Sequence, residues 1–441
     1  MIDKLDKKDT FDVAVIGAGF AGVVAARDLS TKNYSVVLLE ARERVGGRTY
    51  VDKAFDGSVD LELGGAYVHW TQPHVWNELS RHGIPIQPPL ECNKCYWLAD
   101  DQVCSSTTAQ YEATVGPLLE RFFSDARSRF PAPFDVTRLD NSDIEKQSLQ
   151  DRIDWLNLTT YEKDLLDGAL SGVVHSYTEQ GLAQLLQAVA TYFGNFGALI
   201  ETAGTWSIQG GTKRLLDAIL DESTAEVRLS TPVDSITDAD DHVRVTMRSG
   251  EAIQARSVIV ALPLNTVGDL KISPEVPKPV RAMIDQKNPV MATKLWARVR
   301  GEIEPFSAFA PVGKHPINTA RTESRHDGDT LIFAMISDAA AIRADDRDAV
   351  QAALQKFVPD IQVVDTAGHD WTVDEFSKGG WMMHRPGNLT GAAPQMRKLH
   401  GRVRFAGSDI ATIEPGSIEG AIESGAAAAR DVTVLLEKSQ D

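Results

Sequence analysis

The segment Gly17-Ala18-Gly19-Phe20-Ala21-Gly22 constrains the fold more than any other stretch of this chain. It matches G-x-G-x-x-G, a weak signal on its own. Here it follows an apolar run, Val13-Ala14-Val15-Ile16, and opens a helical pattern from Phe20 to Thr31. Ala21, Val24, Ala25 and Leu29 fall on one face of that helix. A second apolar run, Tyr34 to Glu40, reads as a buried strand and ends in an acid about 20 residues on. Together these parts form a βαβ unit for a dinucleotide. Gly17 permits a tight turn, Gly19 lets the backbone approach a pyrophosphate, and Gly22 lets helix and strand pack closely. The helix start offers free N–H groups to phosphate, and Glu40 offers acceptors to ribose hydroxyls.

At 441 residues the chain exceeds one ordinary core, so two lobes are expected. Its formal net charge of −17 argues against nucleic acid or an anionic membrane as the main partner. An acidic surface for solubility is the plainest reading, and it is also compatible with a cationic substrate. The start, Met1 to Lys8, alternates charge and lacks the apolar stretch of a signal peptide. No apolar run reaches the ~20 residues of a membrane span. A cytoplasmic location is therefore expected. Only Met1 to Thr10 and the residues after Leu436 lack a folded pattern.

The cysteines are Cys92, Cys95 and Cys104. The pair Cys92 and Cys95 has no second pair to complete a zinc site. It follows a Pro-Pro loop rather than a strand, unlike a redox motif. Chance spacing is the reading, and no metal is expected.

Further along, Pro73 to His82 reads as a helix and Ser105 to Thr202 as mainly helical. Glu226–Leu229, His242–Met247 and Ala252–Ala255 alternate with period two and predict a small antiparallel meander. Ser257 to Pro263 reads as another buried strand. Lys294–Val299 and Thr330–Ile336 read as strands of a second sheet. A helix is predicted from Asp348 to Phe357, a late strand at Val403–Gly407, and a long alanine-rich helix from Ile418 to Leu436. The fold class is α/β and two-lobed. A Rossmann-type cofactor domain takes 10–88, 205–285 and 374–437. A substrate domain with a mixed or antiparallel sheet and helices takes 89–204 and 286–373. A single dinucleotide fingerprint excludes a second module for NAD(P)H, so electrons are expected to pass directly from an organic substrate.

Six segments resemble the flavin monoamine oxidase family, with wording closest to its bacterial cyclohexylamine oxidase-like and hydroxynicotine oxidase-like members. The first is the N-terminal unit with its extension Ala41-Arg42-Glu43-Arg44-Val45-Gly46-Gly47-Arg48. A guanidinium at Arg42 or Arg48 could neutralise pyrophosphate or flavin charge. The second is Leu63-Gly64-Gly65-Ala66-Tyr67-Val68-His69-Trp70, which in the family runs beneath the flavin ring. Ile208 to Thr212 and Thr231 to Ile236 follow, with Val233 at the position that meets adenine. The fifth runs from Asp370 to Trp381. The sixth joins Phe405-Ala406-Gly407-Ser408-Asp409 to Glu414 through Ala421. It implies pyrophosphate contact first, then a helix start, Ser417 and Ile418, at the flavin's O2 side.

The resemblance implies FAD and assigns roles. Lys294 matches the lysine that holds a water near flavin N5, Trp381 one wall of an aromatic cage, and Ser417 the usual tyrosine of the opposite wall. That departure opens the cage. Gly380 stands where mammalian members carry a flavin-linked cysteine, so non-covalent FAD is expected. Trp371 fits the flavin edge or the core equally. His69, His175 and Tyr177 are pocket candidates, with the plainer reading of the two histidines as satisfied structural residues. The implied reaction moves a hydride equivalent from the amine α-carbon to flavin N5. The imine then gives an aldehyde or ketone, and dioxygen becomes hydrogen peroxide. A small-molecule amine and dioxygen are the expected partners, with a homodimer left open. Competing readings are a dehydrogenase that feeds a carrier protein, an amino-acid oxidase using Arg321, Arg325 or Arg385, and a flavin-binding protein without turnover.

Overall fold

The parallel strands that hold the glycine turn come from widely separated parts of the chain. The computed structural model describes residues 9–239 and 241–438; the charged start at residues 1–8 and the last three residues lie outside them. Strand Thr10–Ile16 lies between Val36–Leu39 and Ala252–Val260, with Val15 opposite both Leu38 and Ile259. Glu226–Arg228 adds beyond Val36–Leu39, and Val403–Phe405 pairs with the C-terminal half of Ala252–Val260. All these pairings are parallel, so the carboxyl ends open on one edge, where such sheets bind ligands. The central strands are buried on both faces and rich in Val, Ile and Leu, as that position demands.

Helix Phe20–Ser30 packs against helix Ile418–Lys438 through small residues. A Cβ at Gly425 would lie 2.2 Å from the Ala21 carbonyl oxygen, so this approach requires glycine.

A seven-stranded sheet forms the second layer system. Its order is Val363–His369, Thr293–Val299, Asp329–Ile336, Thr319–His326, Phe306–Phe309, Lys94–Ala99 and Gln102–Thr107. One face carries Trp296, Phe333 and Met335 into a core shared with Leu165, Leu182 and Leu186 of the helical segment. The other face, with Leu295, Ala334 and Ile336, packs on helix Arg347–Gln355.

Three sequence expectations need correction. Glu226–Arg228 is not in the meander; it pairs in parallel at the far edge, and Val233–Asp238 takes its place. Ala252–Val260 is one strand, because its first half pairs with Val243–Met247 and its second with Val403–Phe405. Ser105–Thr107 is strand rather than helix. It closes a hairpin through Asp100 and Asp101, both at positive φ. The helices begin at Thr108, where Thr107 and Gln110 form a capping box. Among the described residues no helix is long and apolar enough to cross a membrane.

Candidate active site

The turn after strand Thr10–Ile16 separates glycines needed for folding from one that leaves space. A Cβ at Gly17 would lie 2.6 Å from the Ala261 oxygen, and one at Gly22 only 1.9 Å from the Gly17 oxygen. At Gly19 it would meet nothing closer than 3.8 Å. Gly19 caps helix Phe20–Ser30 without any side-chain cap. Open space before uncapped helical N–H groups is what a diphosphate requires. Ala18, Phe20 and Ala21 are buried beneath this turn. The residues present therefore fit a dinucleotide.

Glu40 is buried and braces the turn. Its carboxylate accepts from the Ala18 N–H at 2.8 Å and the Arg42 N–H at 2.9 Å. The chain after it wraps back: the Gly46 N–H donates to the Ala18 carbonyl at 2.8 Å. Gly46 and Gly47 both have positive φ, and a Cβ at Gly47 would crowd Gly19 at 3.3 Å. Ser230 and Thr231 donate to the Arg42 and Glu40 carbonyls, which sets buried Val233 near the same edge.

The two arginines are less free than expected. Arg42 is paired with Asp374 and donates to Ser377 at 2.9 Å; Ala41 is half-buried before it. Burial works against the Asp374 charge, but the His369 hydrogen bond and the Arg42 guanidinium outweigh it and hold its pKa at about 2. Arg48 is paired with Asp409 and donates to Ser408 at 2.9 Å and to the Gly380 carbonyl at 2.7 Å. Both therefore tie distant segments to the glycine turn, and helix N–H groups supply the free positive potential. Asp409 also accepts from the Leu264 N–H at 2.8 Å, and Gly407 holds φ +135 at the end of its strand.

Lys294 sits on an interior strand, only 5% exposed. Its Nζ donates to the Gly64 carbonyl at 3.0 Å. The ammonium faces the rings of Tyr67, Trp296 and Phe333 at 5.2, 5.5 and 5.0 Å. Burial pulls its pKa down to about 8, against the opposing pull of the Glu62 carboxylate. Gly64 has no room for a side chain: its Cβ would lie 2.2 Å from the Arg48 oxygen and 2.9 Å from the Trp371 ring. Trp371 is buried and donates to the Leu63 carbonyl at 2.9 Å, so it packs on this backbone. Gly65 is exposed beside buried Ala66.

Trp381 lies against the segment that carries Ser417. A Cβ at Gly416 would be 2.9 Å from the Met382 backbone and 3.4 Å from Trp381 Cβ. The Ser417 hydroxyl is already committed. It donates to the Glu414 carbonyl at 2.8 Å and accepts from the Gly420 N–H at 3.0 Å, capping the helix that begins at buried Ile418. The first turn of that helix also holds the buried Glu419 carboxylate, which accepts from the Val75 N–H at 2.9 Å.

His175 departs from the satisfied structural residue expected of it. Both ring nitrogens are buried without a partner, and it stands edge-on to Trp381 at 4.7 Å. Burial drops its pKa to about 3, so it is neutral. His69 meets Thr71 at 2.7 Å through Nδ1, while its Nε2 is unpartnered. Tyr177 turns its hydroxyl to the Asp167 carbonyl at 3.4 Å. Sequence reasoning missed Asn288. It donates to the Trp381 carbonyl at 2.7 Å and accepts from the Val290 and Met383 N–H groups at 3.2 Å each. A lone asparagine carries no pattern that would single it out.

Cys95 is buried in its strand, and Cys92 and Cys104 are half-buried; all three are free. Glu78, His82 and Glu222 cluster, but Arg27 and Arg81 bridge the two carboxylates as ion pairs.

The description "Flavin containing amine oxidoreductase" matches residues 20–433. The chain belongs to this family. It is 34% identical to pseudooxynicotine dehydrogenase of a Pseudomonas species over 432 residues, 96% of this chain and 86% of that protein. It is 30% identical to (S)-6-hydroxynicotine oxidase of Paenarthrobacter nicotinovorans over 428 residues, 94% of this chain and 97% of that protein. The structure of cyclohexylamine oxidase from Brevibacterium oxydans IH-35A shares the fold, with a TM-score of 0.82 at 18% identity. It covers 97% of this chain and 99% of its own. The chain is thus a flavin-dependent amine oxidoreductase, and its substrate is a small-molecule amine.

Proposed function

We propose that this protein is an amine oxidase that binds FAD non-covalently and passes electrons to dioxygen. The observation that carries the reading is the buried Lys294, anchored on the Gly64 carbonyl and facing Trp296 and Phe333, rings of the core against which Trp381 also packs. Residues 10–88, 205–285 and 374–437 would form the FAD domain, and 89–204 with 286–373 the substrate domain. Bound FAD supplies the two-electron acceptor for the amine's α-carbon hydrogen, leaving an imine that hydrolyses to an aldehyde or ketone.

The remaining work falls to the chain. The Trp381 ring offers a π face to the amine. Neutral His175, edge-on to that ring, adds no charge that would repel an ammonium. With its pKa lowered to about 8, Lys294 can hold or release a proton at Nζ near neutral pH. Gly380 offers no sulfur, so no covalent bond to the flavin forms there. Cytoplasmic residence remains part of this proposal.

A second reading has a specific support: one relative is named a dehydrogenase and another an oxidase. A peroxide-coupled screen of primary, secondary, cyclic and aromatic amines under air tests both. Peroxide in step with product supports the oxidase. Turnover only with an added electron carrier supports the dehydrogenase.

A further inference from the structure

Helix Pro73–Arg81 begins with donors that its own cap does not satisfy. Gln72, at the cap, makes no side-chain bond to the helix, and Pro73 has no N–H. The next two N–H groups, of His74 and Val75, donate at 3.2 and 2.9 Å to Glu419, in the first turn of a different helix, Ile418–Lys438. The Glu419 side chain is wholly buried, and the His74 ring meets the same carboxylate through Nδ1 at 2.7 Å. Among the described residues Glu419 has no other ion pair. A buried carboxylate is costly unless donors and a positive charge meet it. Here the positive charge comes from a histidine whose side chain is 34% exposed, so protons can reach it and it can be gained or lost with pH.

This contact joins segments of the candidate site. Gln72 accepts from the His69 N–H at 2.9 Å and donates to Glu414 at 2.7 Å. The chain leaving Gly64–Trp70 is therefore fastened to the start of helix Ile418–Lys438 at both Glu414 and Glu419. That helix packs on the helix of the glycine turn where Gly425 meets Ala21, and its Ser424 hydroxyl accepts from the Gly407 N–H at 3.1 Å. Its seat bears directly on the dinucleotide turn. Other charges beside His74 are largely spent on one another: Arg27 pairs with Asp28 and Glu78, and Arg81 with Glu78. Glu423 favours the charged ring and Arg430 disfavours it, both more weakly than Glu419. The Glu419 hydrogen bond outweighs burial and raises the His74 pKa above its ordinary 6.5.

We propose that His74 is a positioning residue: its imidazolium locks Glu419, and with it the start of helix Ile418–Lys438, in the form that holds FAD. The proposal rests on the reading that FAD occupies the glycine turn. Loss of the His74 proton leaves the buried carboxylate without a counter-charge, slackens the join and weakens the hold on FAD. By reciprocity, bound FAD tightens the hold of His74 on its proton.

The test compares wild type, His74→Gln and His74→Lys from about pH 5.5 to about pH 9. Glutamine keeps a donor without charge, and lysine keeps a charge throughout. Thermal midpoints of the flavin-free proteins come first. The ion pair stabilises the fold fully below 6.5, and the gain is lost as pH rises through the raised value. Wild type should therefore exceed the glutamine variant at the acid end and match it at the alkaline end. Titration with FAD, followed by quenching of flavin fluorescence, then gives the dissociation constant. For wild type it should rise about 5-fold or more across this range. The glutamine variant should bind weakly throughout and the lysine variant tightly throughout. A midpoint gap that ignores pH overturns the proposal. So does a glutamine variant whose FAD affinity follows pH as wild type does, or a lysine variant that behaves like the glutamine one. A His74-dependent hold on FAD in a protein whose flavin no amine reduces keeps this inference and sinks the oxidase reading. Amine oxidation with an FAD affinity that ignores pH does the reverse.

Discussion

Replacing Lys294 by methionine should stabilise the protein at neutral pH and destabilise it at high pH. Burial lowers the Lys294 pKa from 10.5 to about 8. At about 1.4 kcal/mol for each pH unit, keeping the folded lysine charged costs about 3 kcal/mol below pH 8. Methionine fills similar space without that cost. It also forfeits the 3.0 Å hydrogen bond to the Gly64 carbonyl, worth about 1–2 kcal/mol. The variant should therefore be more stable by about 1–2 kcal/mol at pH 7. Between pH 8 and 10.5 the unfolded lysine still binds a proton that the folded one has released, so the wild type gains as pH rises. Above that window only the lost hydrogen bond remains, and the variant becomes the weaker protein. Thermal midpoints of the two flavin-free proteins, measured from pH 7 to 11, check this. The curves should cross. A variant less stable at pH 7, with a gap that does not change with pH, would refute the burial argument.

Gly22→Ala should prevent folding or cost several kcal/mol, because its Cβ would lie 1.9 Å from the Gly17 oxygen. Gly19→Ala should leave the thermal midpoint of the flavin-free protein nearly unchanged and still lower the flavin bound at purification, since its Cβ meets only ordinary contacts. Asn288→Ala removes the hydrogen bonds that hold the Trp381 and Met383 backbone, at about 2–3 kcal/mol. Amine turnover in that variant should fall through a raised KM more than through kcat. Acid precipitation should release all the flavin into the supernatant; yellow pellet protein would contradict non-covalent binding.

The glycine turn was legible because its constraint is largely local: strand, turn and helix are contiguous, and the crowding at Gly22 comes from Gly17 itself, although the crowding at Gly17 comes from distant Ala261. Lys294 was legible only in part. Alternation along Thr293–Val299 leaves its face undecided until neighbours on both sides make the strand interior. The same gap hid that Arg321 shares the sheet face of Lys294, because only register with Phe333 and Trp296 places it there. Glu226–Arg228 was misplaced since three residues at a sheet edge carry too little pattern to name a partner. The hairpin Lys94–Thr107 was missed because Asp100 and Asp101 adopt positive φ without the glycine that usually marks such a turn. Resemblance also could not name the partners of Arg42, Arg48 and Ser417, each of which is engaged by the chain itself.

The most direct test is anaerobic mixing of the flavin-loaded protein with amines from the screen, followed by admission of air. The account predicts loss of the oxidised flavin's visible absorbance with at least one amine. Colour should then return in air, with one peroxide formed per flavin reoxidised. A flavin that no amine bleaches, or one that bleaches and stays reduced in air, would contradict it.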